Sequence, residues 1–168
     1  MAVEGKRAPA FDMLLDDGSQ VRLTTLRGQP VVLFFYPADD TETCTLEAQQ
    51  FSAREREFSS AGVRLIGVSP DSLASHCNFR SKYALAVSLA SDPDLQACKA
   101  YGVWTQKTLF GRTYMGVERT TVLIDANGDV AKIWRKVRLR GHVEAVIQAV
   151  RALPVAKSRP EASTNKPA

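Results

Sequence analysis

Short continuous apolar runs alternate along this chain with stretches in which apolar residues recur every three or four positions. Val31–Tyr36 and Val63–Val68 are runs of the first kind, with the length of strands that are buried on both faces. Residues 43–59, which follow the first run, show the second, helical spacing. Strands that alternate with helices in this way predict parallel strands covered by helices.

Turn and cap residues mark where the other elements begin. Ser69 is the predicted N-cap, and Pro70 the first residue, of a helix that continues to about Tyr83. The segment 92–94 (DPD) repeats this start signal for a helix that ends near Gly102. The remaining predicted elements are a hairpin in Phe11–Gly28 that turns at residues 16–19, a short strand near Val87–Ala90, a hairpin of Arg119–Asp125 with Val130–Lys136, and a final amphipathic helix, Val143–Leu153.

This order of elements predicts one α/β domain over residues 1–153, a three-layer sandwich with a central mixed β-sheet. At 168 residues the chain is long enough to bury a full core without disulfide support. The remainder, 154–168, is rich in Pro, Ala, Ser and Lys, and we predict that it is disordered.

The net charge of +4 does not indicate a nucleic-acid-binding protein. Residues 155–168 hold three basic residues and one acidic residue, which leaves 19 basic and 17 acidic residues in the rest of the chain. A denser basic cluster lies on a predicted edge strand and the loop after it, and it consists of Lys132, Arg135, Lys136, Arg138 and Arg140. Basic residues at such an edge commonly keep it solvated, and no aromatic stacking pattern accompanies them, so no nucleic-acid partner is predicted.

The sequence contains no apolar run of about 18 residues, so no membrane-spanning helix is predicted. Residues 1–7 lack the apolar core of a secretory signal, and we expect a cytoplasmic protein. Three cysteines are an odd number, which favours reactive or buried thiols over a disulfide framework. Because the cysteines and the two histidines form neither C-x-x-C nor H-x-x-x-H spacing, no metal site is expected.

Cys44 is the main candidate for a chemically active residue. It falls in the first turn of the predicted helix 43–59, just beyond the carboxyl end of the central strand Val31–Tyr36. Unpaired backbone N–H groups and the helix dipole at that position favour a thiolate over a thiol. Active sites of α/β sheets also lie at the carboxyl ends of their strands. Cys44 is therefore placed where a nucleophilic cysteine is needed.

Residues 37–44, PADDTETC, match the P-x-x-x-T-x-x-C signature of peroxiredoxins. Further segments resemble the bacterioferritin-comigratory, or Q-type, branch of that family, and they are Val31–Tyr36, Cys44–Ala48, Ile66–Ser72, Ala100–Trp104 and Arg119–Asp125. The resemblance covers about residues 3–153. It implies a thioredoxin-like fold and the reduction of hydroperoxides to water or alcohols, without a flavin, haem or metal cofactor.

The resemblance also implies a role for each residue that matches the pattern. Cys44 is the peroxidatic thiolate, and Pro37 shields it from solvent. Thr41 hydrogen-bonds the peroxide and the sulfur. Arg119 holds the thiolate and the peroxide oxygens, and Glu47 orients that arginine. These roles are chemically reasonable, because breaking an O–O bond needs an ionised nucleophile and donors aimed at the charge that develops on oxygen.

The residue that would resolve the oxidised Cys44 is left open by the sequence. Many Q-type relatives carry a cysteine five positions after the peroxidatic one, but here that position is Gln49. Some relatives use a cysteine on the helix that here holds Cys77, and this residue is the favoured candidate. Cys98 and an external thiol are the alternatives.

The helical phase predicts the environments of the remaining cysteines and histidines. Cys77 lies four residues after Leu73, and Cys98 lies on the next helix, so we expect both to point towards the apolar side. His76 is expected at the surface, since a residue adjacent to Cys77 points to another face of the helix. His142 is expected at a helix start without a partner.

The sequence thus predicts a thiol-dependent peroxidase, with Cys44 oxidised to sulfenic acid, condensed with Cys77, and reduced by thioredoxin or a similar thiol reductant. One alternative is a one-Cys peroxidase that an external thiol reduces. Another is a redox-sensing or holdase protein, whose oxidation exposes apolar surface to partners. A monomer is the state that the resemblance implies.

Overall fold

The computed structural model describes residues 1–154, in which helices cover both faces of a seven-stranded sheet. The strands are β1 (Asp12–Leu15), β2 (Gln20–Arg22), β3 (Val31–Phe35), β4 (Arg64–Ser69), β5 (Ser88–Ser91), β6 (Trp104–Leu109), β7 (Arg112–Val117), β8 (Thr120–Ile124) and β9 (Val130–Trp134). The helices are a 3-10 helix (Leu23–Leu26), α1 (Glu42–Ala53), α2 (Glu55–Ser60), α3 (Leu73–Tyr83), α4 (Gln96–Ala100) and α5 (His142–Arg151).

The main sheet has the strand order β2-β1-β5-β4-β3-β8-β9, and β6 pairs with β7 in a separate hairpin. Strands β3, β4 and β5 run parallel, whereas β8 and β1 are antiparallel to their neighbours β3 and β5. The predicted α/β sandwich with a mixed sheet is confirmed. The predicted tail, 154–168, lies outside the described residues except for Pro154. Within the described part of the chain, no helix combines the length and the apolarity needed to cross a bilayer.

The central strand β3 divides the core into two layers. Leu33 and Phe35 point into the layer that contains α4, whereas Val32 and Phe34 point into the layer of α1, α3 and α5. All of these side chains are buried because every strand neighbour of β3 is also covered on both faces. Gly67 stands opposite Phe34 on β4, and a Cβ at Gly67 would lie 2.6 Å from the ring of Phe34.

The predicted single helix over 43–59 is wrong in one respect, because it is two helices that meet at Arg54. Arg54 has φ −111° and ψ 10°, which interrupts the regular helix. Its guanidinium pairs with Glu57 and with Glu144 of α5, so the break is held by ion pairs on both sides. Phe58 of the second helix still reaches the core, as the apolar stripe predicts.

The predicted cap of α3 is also wrong. Ser69 is the last residue of β4, where it pairs with Ser91, and its hydroxyl donates to Asp71. The N-cap is Ser72, whose side chain accepts a hydrogen bond from Ser75 N at 3.2 Å. The helix predicted to start at residues 92–94 begins only at Gln96. The Asp92 carboxylate accepts hydrogen bonds from the N–H groups of residues 97 and 98 in its first turn.

The hairpin β6–β7 was not predicted from the sequence. Its turn is made by Phe110 and Gly111, which have φ of 51° and 76°. Two positive φ angles are typical of the tight turns that suit hairpins, but Phe-Gly lacks the Asn-Gly or Asp-Gly sequence that signals them. The alternation of apolar residues is also weak here, since most of the hairpin is exposed on both faces.

Candidate active site

Cys44 lies in the first turn of α1, where the backbone leaves the carboxyl end of β3 through residues 36–41. Its side chain is only 2% exposed and belongs to the core layer that contains Phe34 and Phe51. A helix of twelve residues points its N-terminus at this position. The sulfur is therefore held in a protected place near unpaired backbone N–H groups, which favour negative charge.

Arg119 is brought to Cys44 by the pairing of β3 with β8. Thr120, the first residue of β8, stands opposite Phe35, the last residue of β3, so Arg119 lies at the same edge of the sheet as the start of α1. Its Nη2 atom donates to Cys44 Sγ at 3.3 Å. Its Nη1 atom donates to Glu47 Oε1 at 2.6 Å. One guanidinium thus links the cysteine and the carboxylate.

Glu47 is completely buried one turn after Cys44 on α1. Burial raises the pKa of the Glu47 carboxyl to about 7, although the neighbouring Arg119 acts in the opposite direction. The second carboxylate oxygen, Oε2, is buried without a hydrogen-bond partner among the described residues. Burial alone would lower the pKa of Arg119, but Glu47 and Cys44 outweigh this effect and raise it. The guanidinium therefore keeps its positive charge. A carboxylate with a pKa near neutrality beside the reactive thiol is a candidate for pH control of the site.

The two other residues of the matched signature lie on the loop before α1. Thr41 is the N-cap of α1 and is exposed, and its hydroxyl donates to the carbonyl of Ala38 at 2.9 Å rather than to Cys44. Pro37 is half-buried directly after Tyr36. The structure therefore brings Arg119 to the cysteine and Glu47 to Arg119, and it places Thr41 and Pro37 on the loop that leads to Cys44.

The two remaining cysteines lie in different layers of the sandwich. Cys77 is exposed on α3, on the same face of the sheet as Cys44, and its thiol donates to the carbonyl of Asp16 at 3.0 Å. The expectation that Cys77 points inward is wrong. Cys98 is fully buried in the opposite layer, as expected, and burial together with Asp92 raises the pKa of its thiol.

His76 is completely buried, so the expectation of a surface histidine is wrong. Its Nδ1 atom lies 2.7 Å from Asp39 Oδ2, and its Nε2 atom lies 2.9 Å from the carbonyl oxygen of Ala90. Asp39 belongs to the loop before Cys44 and lies 37 residues before His76 in the chain. No spacing in the sequence connects these two residues, and only the fold brings them together.

The same cluster contains Asp71, and one oxygen or nitrogen atom from each of Asp39, Asp71 and His76 lies within 4.8 Å of the others. Such a grouping could hold a cation, and the sequence spacing did not reveal it. Each of these atoms is already in a hydrogen bond: Asp71 Oδ2 accepts from Asp39 N and from the hydroxyl of Ser69, and Asp39 Oδ2 accepts from Ser75. The arrangement is satisfied as a hydrogen-bond network.

His142, at the start of α5, also has a partner that the sequence did not predict. Its Nε2 atom lies 2.8 Å from the hydroxyl of Thr121 on β8. Burial, with a smaller effect of Arg119, lowers the pKa of His142 to about 4. The imidazole is therefore neutral near pH 7 and acts as part of the core behind Arg119.

The family comparison agrees with the geometry. A model of the AhpC/TSA family matches residues 4–133. The chain is 41% identical over 147 residues to Peroxiredoxin Bcp of Xanthomonas campestris, which covers 86% of this chain and 92% of that protein. It is 40% identical over 152 residues to Peroxiredoxin Bcp of Bacillus subtilis, which covers 90% of this chain and 97% of that protein.

Solved structures show the same likeness. A structure of the bacterioferritin comigratory protein of Xanthomonas campestris, described for its alkyl peroxide reduction activity, superposes with a TM-score of 0.80 at 39% identity. The match covers 84% of this chain and 90% of that chain. The fold of this chain is thus that of solved peroxiredoxin structures.

Proposed function

We propose a two-cysteine catalytic cycle for this chain, which belongs to the AhpC/TSA family and is a peroxiredoxin of the Bcp type, a thiol-dependent peroxidase. The observation that carries the proposal is the contact between Arg119 Nη2 and the buried sulfur of Cys44. A cation and a helix N-terminus at one sulfur favour the thiolate that must attack the peroxide.

In the first step the Cys44 thiolate attacks the terminal oxygen of a hydroperoxide. An S–O bond forms and the O–O bond breaks, so the sulfur is oxidised to sulfenic acid and the peroxide leaves as an alkoxide or hydroxide that takes a proton from water. Negative charge moves from sulfur onto the two oxygens during this step. The guanidinium of Arg119, anchored by Glu47, is placed to stabilise that charge, and the Thr41 hydroxyl can turn from Ala38 to the bound peroxide.

In the second step the Cys77 thiol attacks the sulfur of the Cys44 sulfenic acid, which releases water and leaves a disulfide. Two observations support Cys77 over Cys98. Cys77 is exposed and on the same face of the sheet as Cys44. Cys98 is buried beyond the sheet, and the raised pKa of its thiol opposes the thiolate form that attacks fastest.

In the third step a dithiol of the thioredoxin type reduces the disulfide through a mixed disulfide. The exposure of Cys77 supports this step, because an external thiolate must reach one of the two sulfurs. Reductants of this type belong to reducing compartments, so we propose the cytoplasm as the place of action. The predicted monomer stays a prediction.

Hydrogen peroxide and alkyl hydroperoxides are the proposed substrates. Alkyl peroxide reduction is stated for the Xanthomonas campestris relative. The step at Cys44 needs only a terminal O–OH group, so the alkyl part of the substrate can extend towards the exposed loop around Thr41.

Turnover with thioredoxin, thioredoxin reductase and NADPH tests the cycle. We expect the wild type to consume many equivalents of hydrogen peroxide, Cys44→Ser to consume none, and Cys77→Ser to lose turnover with thioredoxin but to keep it with dithiothreitol. Cys98→Ala is the matched control and should turn over like the wild type. Full thioredoxin-dependent turnover by Cys77→Ser would contradict the two-cysteine cycle, and a single oxidation without turnover by the wild type would favour the redox-sensing or holdase function.

A further inference from the structure

We propose that the buried pair of Asp39 and His76 is a latch that holds the loop before Cys44 against α3, and that opening this latch limits the rate of disulfide formation. The proposal rests on the proposed function, in which Cys77 on α3 attacks oxidised Cys44. It makes Asp39 and His76 positioning residues, since neither touches the reacting sulfur atoms.

The latch joins the two segments that carry the reacting cysteines. Asp39 lies five residues before Cys44, and His76 is the residue directly before Cys77. The side chains of Asp39 and His76 are only 3% and 0% exposed, and Asp39 Oδ2 lies 2.7 Å from His76 Nδ1. A second pair between this loop and α3 joins Asp40 to Lys82, five residues after Cys77 on the helix.

Both ring nitrogens of His76 face hydrogen-bond acceptors. Nδ1 faces the carboxylate of Asp39, and Nε2 faces the carbonyl oxygen of Ala90, which can only accept. Asp39 also accepts hydrogen bonds from the hydroxyls of Tyr36 and Ser75, as an ionised carboxylate does. The hydrogen bonds from His76, Tyr36 and Ser75 outweigh burial and lower the pKa of Asp39. Asp39 is thus held by three side chains, and both ring nitrogens of His76 are engaged in the closed loop.

Further hydrogen bonds fasten the loop at the same place. The backbone N–H of Asp39 donates to Asp71 Oδ2 at 2.7 Å, and Asp71 lies between β4 and α3. The hydroxyl of Ser69 donates to the same oxygen at 2.7 Å. Asp40, the next residue of the loop, is bound at the other end of α3 by Lys82 and Tyr83. The contacts of Asp39 with His76 and Ser75 are those next to Cys77 in the helix.

The disulfide cannot form while the latch is closed, because the two sulfurs face different parts of the sheet. Cys77 Sγ contacts Asp16, which follows β1, and Cys44 Sγ contacts Arg119, which precedes β8. Strands β1 and β8 are four positions apart in the sheet, which is about 19 Å at the usual strand spacing. A disulfide needs Cα atoms within about 7 Å of each other.

Opening must therefore separate Asp39 from His76. The first turns of α3 have to unwind for Cys77 to move towards Cys44, and His76 leaves with its neighbour. This movement exposes both side chains to water, which offsets part of the free energy lost when their hydrogen bond breaks. The remaining cost is a barrier to opening in the reduced protein and in the sulfenic acid form. Weakening the latch should raise the population of the open state.

Two variants, His76→Gln and Asp39→Asn, weaken the latch from either side, and Arg80→Gln is the matched control. Arg80 lies on the same helix and pairs with Asp16, which is not part of the loop. We expect His76→Gln and Asp39→Asn each to form the Cys44–Cys77 disulfide at least about tenfold faster after sulfenic acid formation, measured by stopped-flow tryptophan fluorescence. In the double variant the rate should be no more than about twofold above the faster single variant, because both changes open the same contact.

Hydrogen exchange of the reduced protein provides a readout that does not depend on the disulfide. In both latch variants the amides of 38–44 and of 73–79 should exchange faster together, whereas Arg80→Gln should affect α3 alone. If exchange rises in both segments but no Cys44–Cys77 disulfide forms, the proposed resolving step is wrong and the physical coupling stands. If the disulfide forms at the wild-type rate and the two segments exchange independently, the latch is overturned.

Discussion

Arg119 Nη2 lies 3.3 Å from Cys44 Sγ, although the two residues are 75 positions apart in the chain. This contact gives Arg119 two tasks, to favour the thiolate and to stabilise charge on the peroxide oxygens. Favouring the thiolate alone increases the rate of peroxide attack only slightly. Lowering a thiol pKa from about 8.5 to about 6 raises the thiolate fraction at pH 7 about 30-fold, and the accompanying loss of nucleophilicity takes back about 13-fold.

We therefore expect Arg119→Ala to reduce the second-order rate constant for peroxide by about 100-fold to 1,000-fold, the range for removing one preorganised donor. Arg119→Lys should recover only part of the loss, because an ammonium cannot donate to Cys44 and Glu47 with a planar fork. Stopped-flow measurement of sulfenic acid formation, with the thiolate fraction determined separately by ultraviolet absorbance, checks this prediction. A loss no larger than the fall in thiolate fraction would show that Arg119 acts on Cys44 ionisation alone.

Glu47 should give the peroxide reaction an ionisation near pH 7. Its pKa is raised from 4.5 to about 7, so Glu47 becomes neutral as the pH falls through 7 and its attraction for Arg119 weakens. We expect the rate of sulfenic acid formation to fall as Glu47 is protonated, and Glu47→Gln to lack this pH dependence. The measurement is the rate constant between pH 5 and pH 9 for both proteins. Identical pH profiles would assign the ionisation to another group.

His142 should make the fold sensitive to acid. Its pKa falls from 6.5 to about 4 on folding, so between these values the unfolded chain binds more protons than the folded one. The stability it contributes is complete above pH 6.5 and is lost as the pH falls towards 4. Between pH 7 and pH 4.5 this loss is about 2 kcal/mol. Urea unfolding at both pH values should show a smaller loss in His142→Gln by that amount, and an equal loss in both proteins would contradict the assignment.

Gly67→Ala should destabilise the sheet at its centre. The added Cβ would lie 2.6 Å from the ring of Phe34, which is fully buried and stacked on Phe51 with the ring centroids 4.4 Å apart. Overpacking of this kind costs about 1–3 kcal/mol. Gly116→Ala is the control, because the nearest atom to its Cβ belongs to the flexible side chain of Lys107. Urea unfolding compares the two, and equal free energies of unfolding would contradict the prediction.

The strands of the main sheet, most helices and the position of Cys44 were predictable because each depends on local patterns. The run 31–36 is apolar since β3 is buried on both faces, and the stripe after it is the buried face of α1. Arg119 could be named only through the family resemblance. Its contact with Cys44 depends on the antiparallel pairing of β8 with β3, and no sequence pattern specifies which strands become neighbours.

The environment of α3 could not be predicted because its inner face contains a histidine that pairs with a carboxylate from another segment. A helical phase based on Leu73 misplaces the inner face, because Leu73 is only half-buried and the residues buried inside are His76 and Phe79. A histidine counts as polar in any hydrophobic pattern. The predicted inner face of α3 is therefore rotated about the helix axis relative to the observed one, and it wrongly includes the exposed Cys77.

The most direct test of the two-cysteine cycle is the intact mass and the peptide map of the reduced protein after one equivalent of hydrogen peroxide. We expect a loss of two hydrogens and a single cross-linked pair of peptides that contain Cys44 and Cys77. An added oxygen on Cys44 without a disulfide would contradict the resolving role of Cys77 and favour an external thiol. An unchanged mass would contradict the peroxidase chemistry of Cys44 itself.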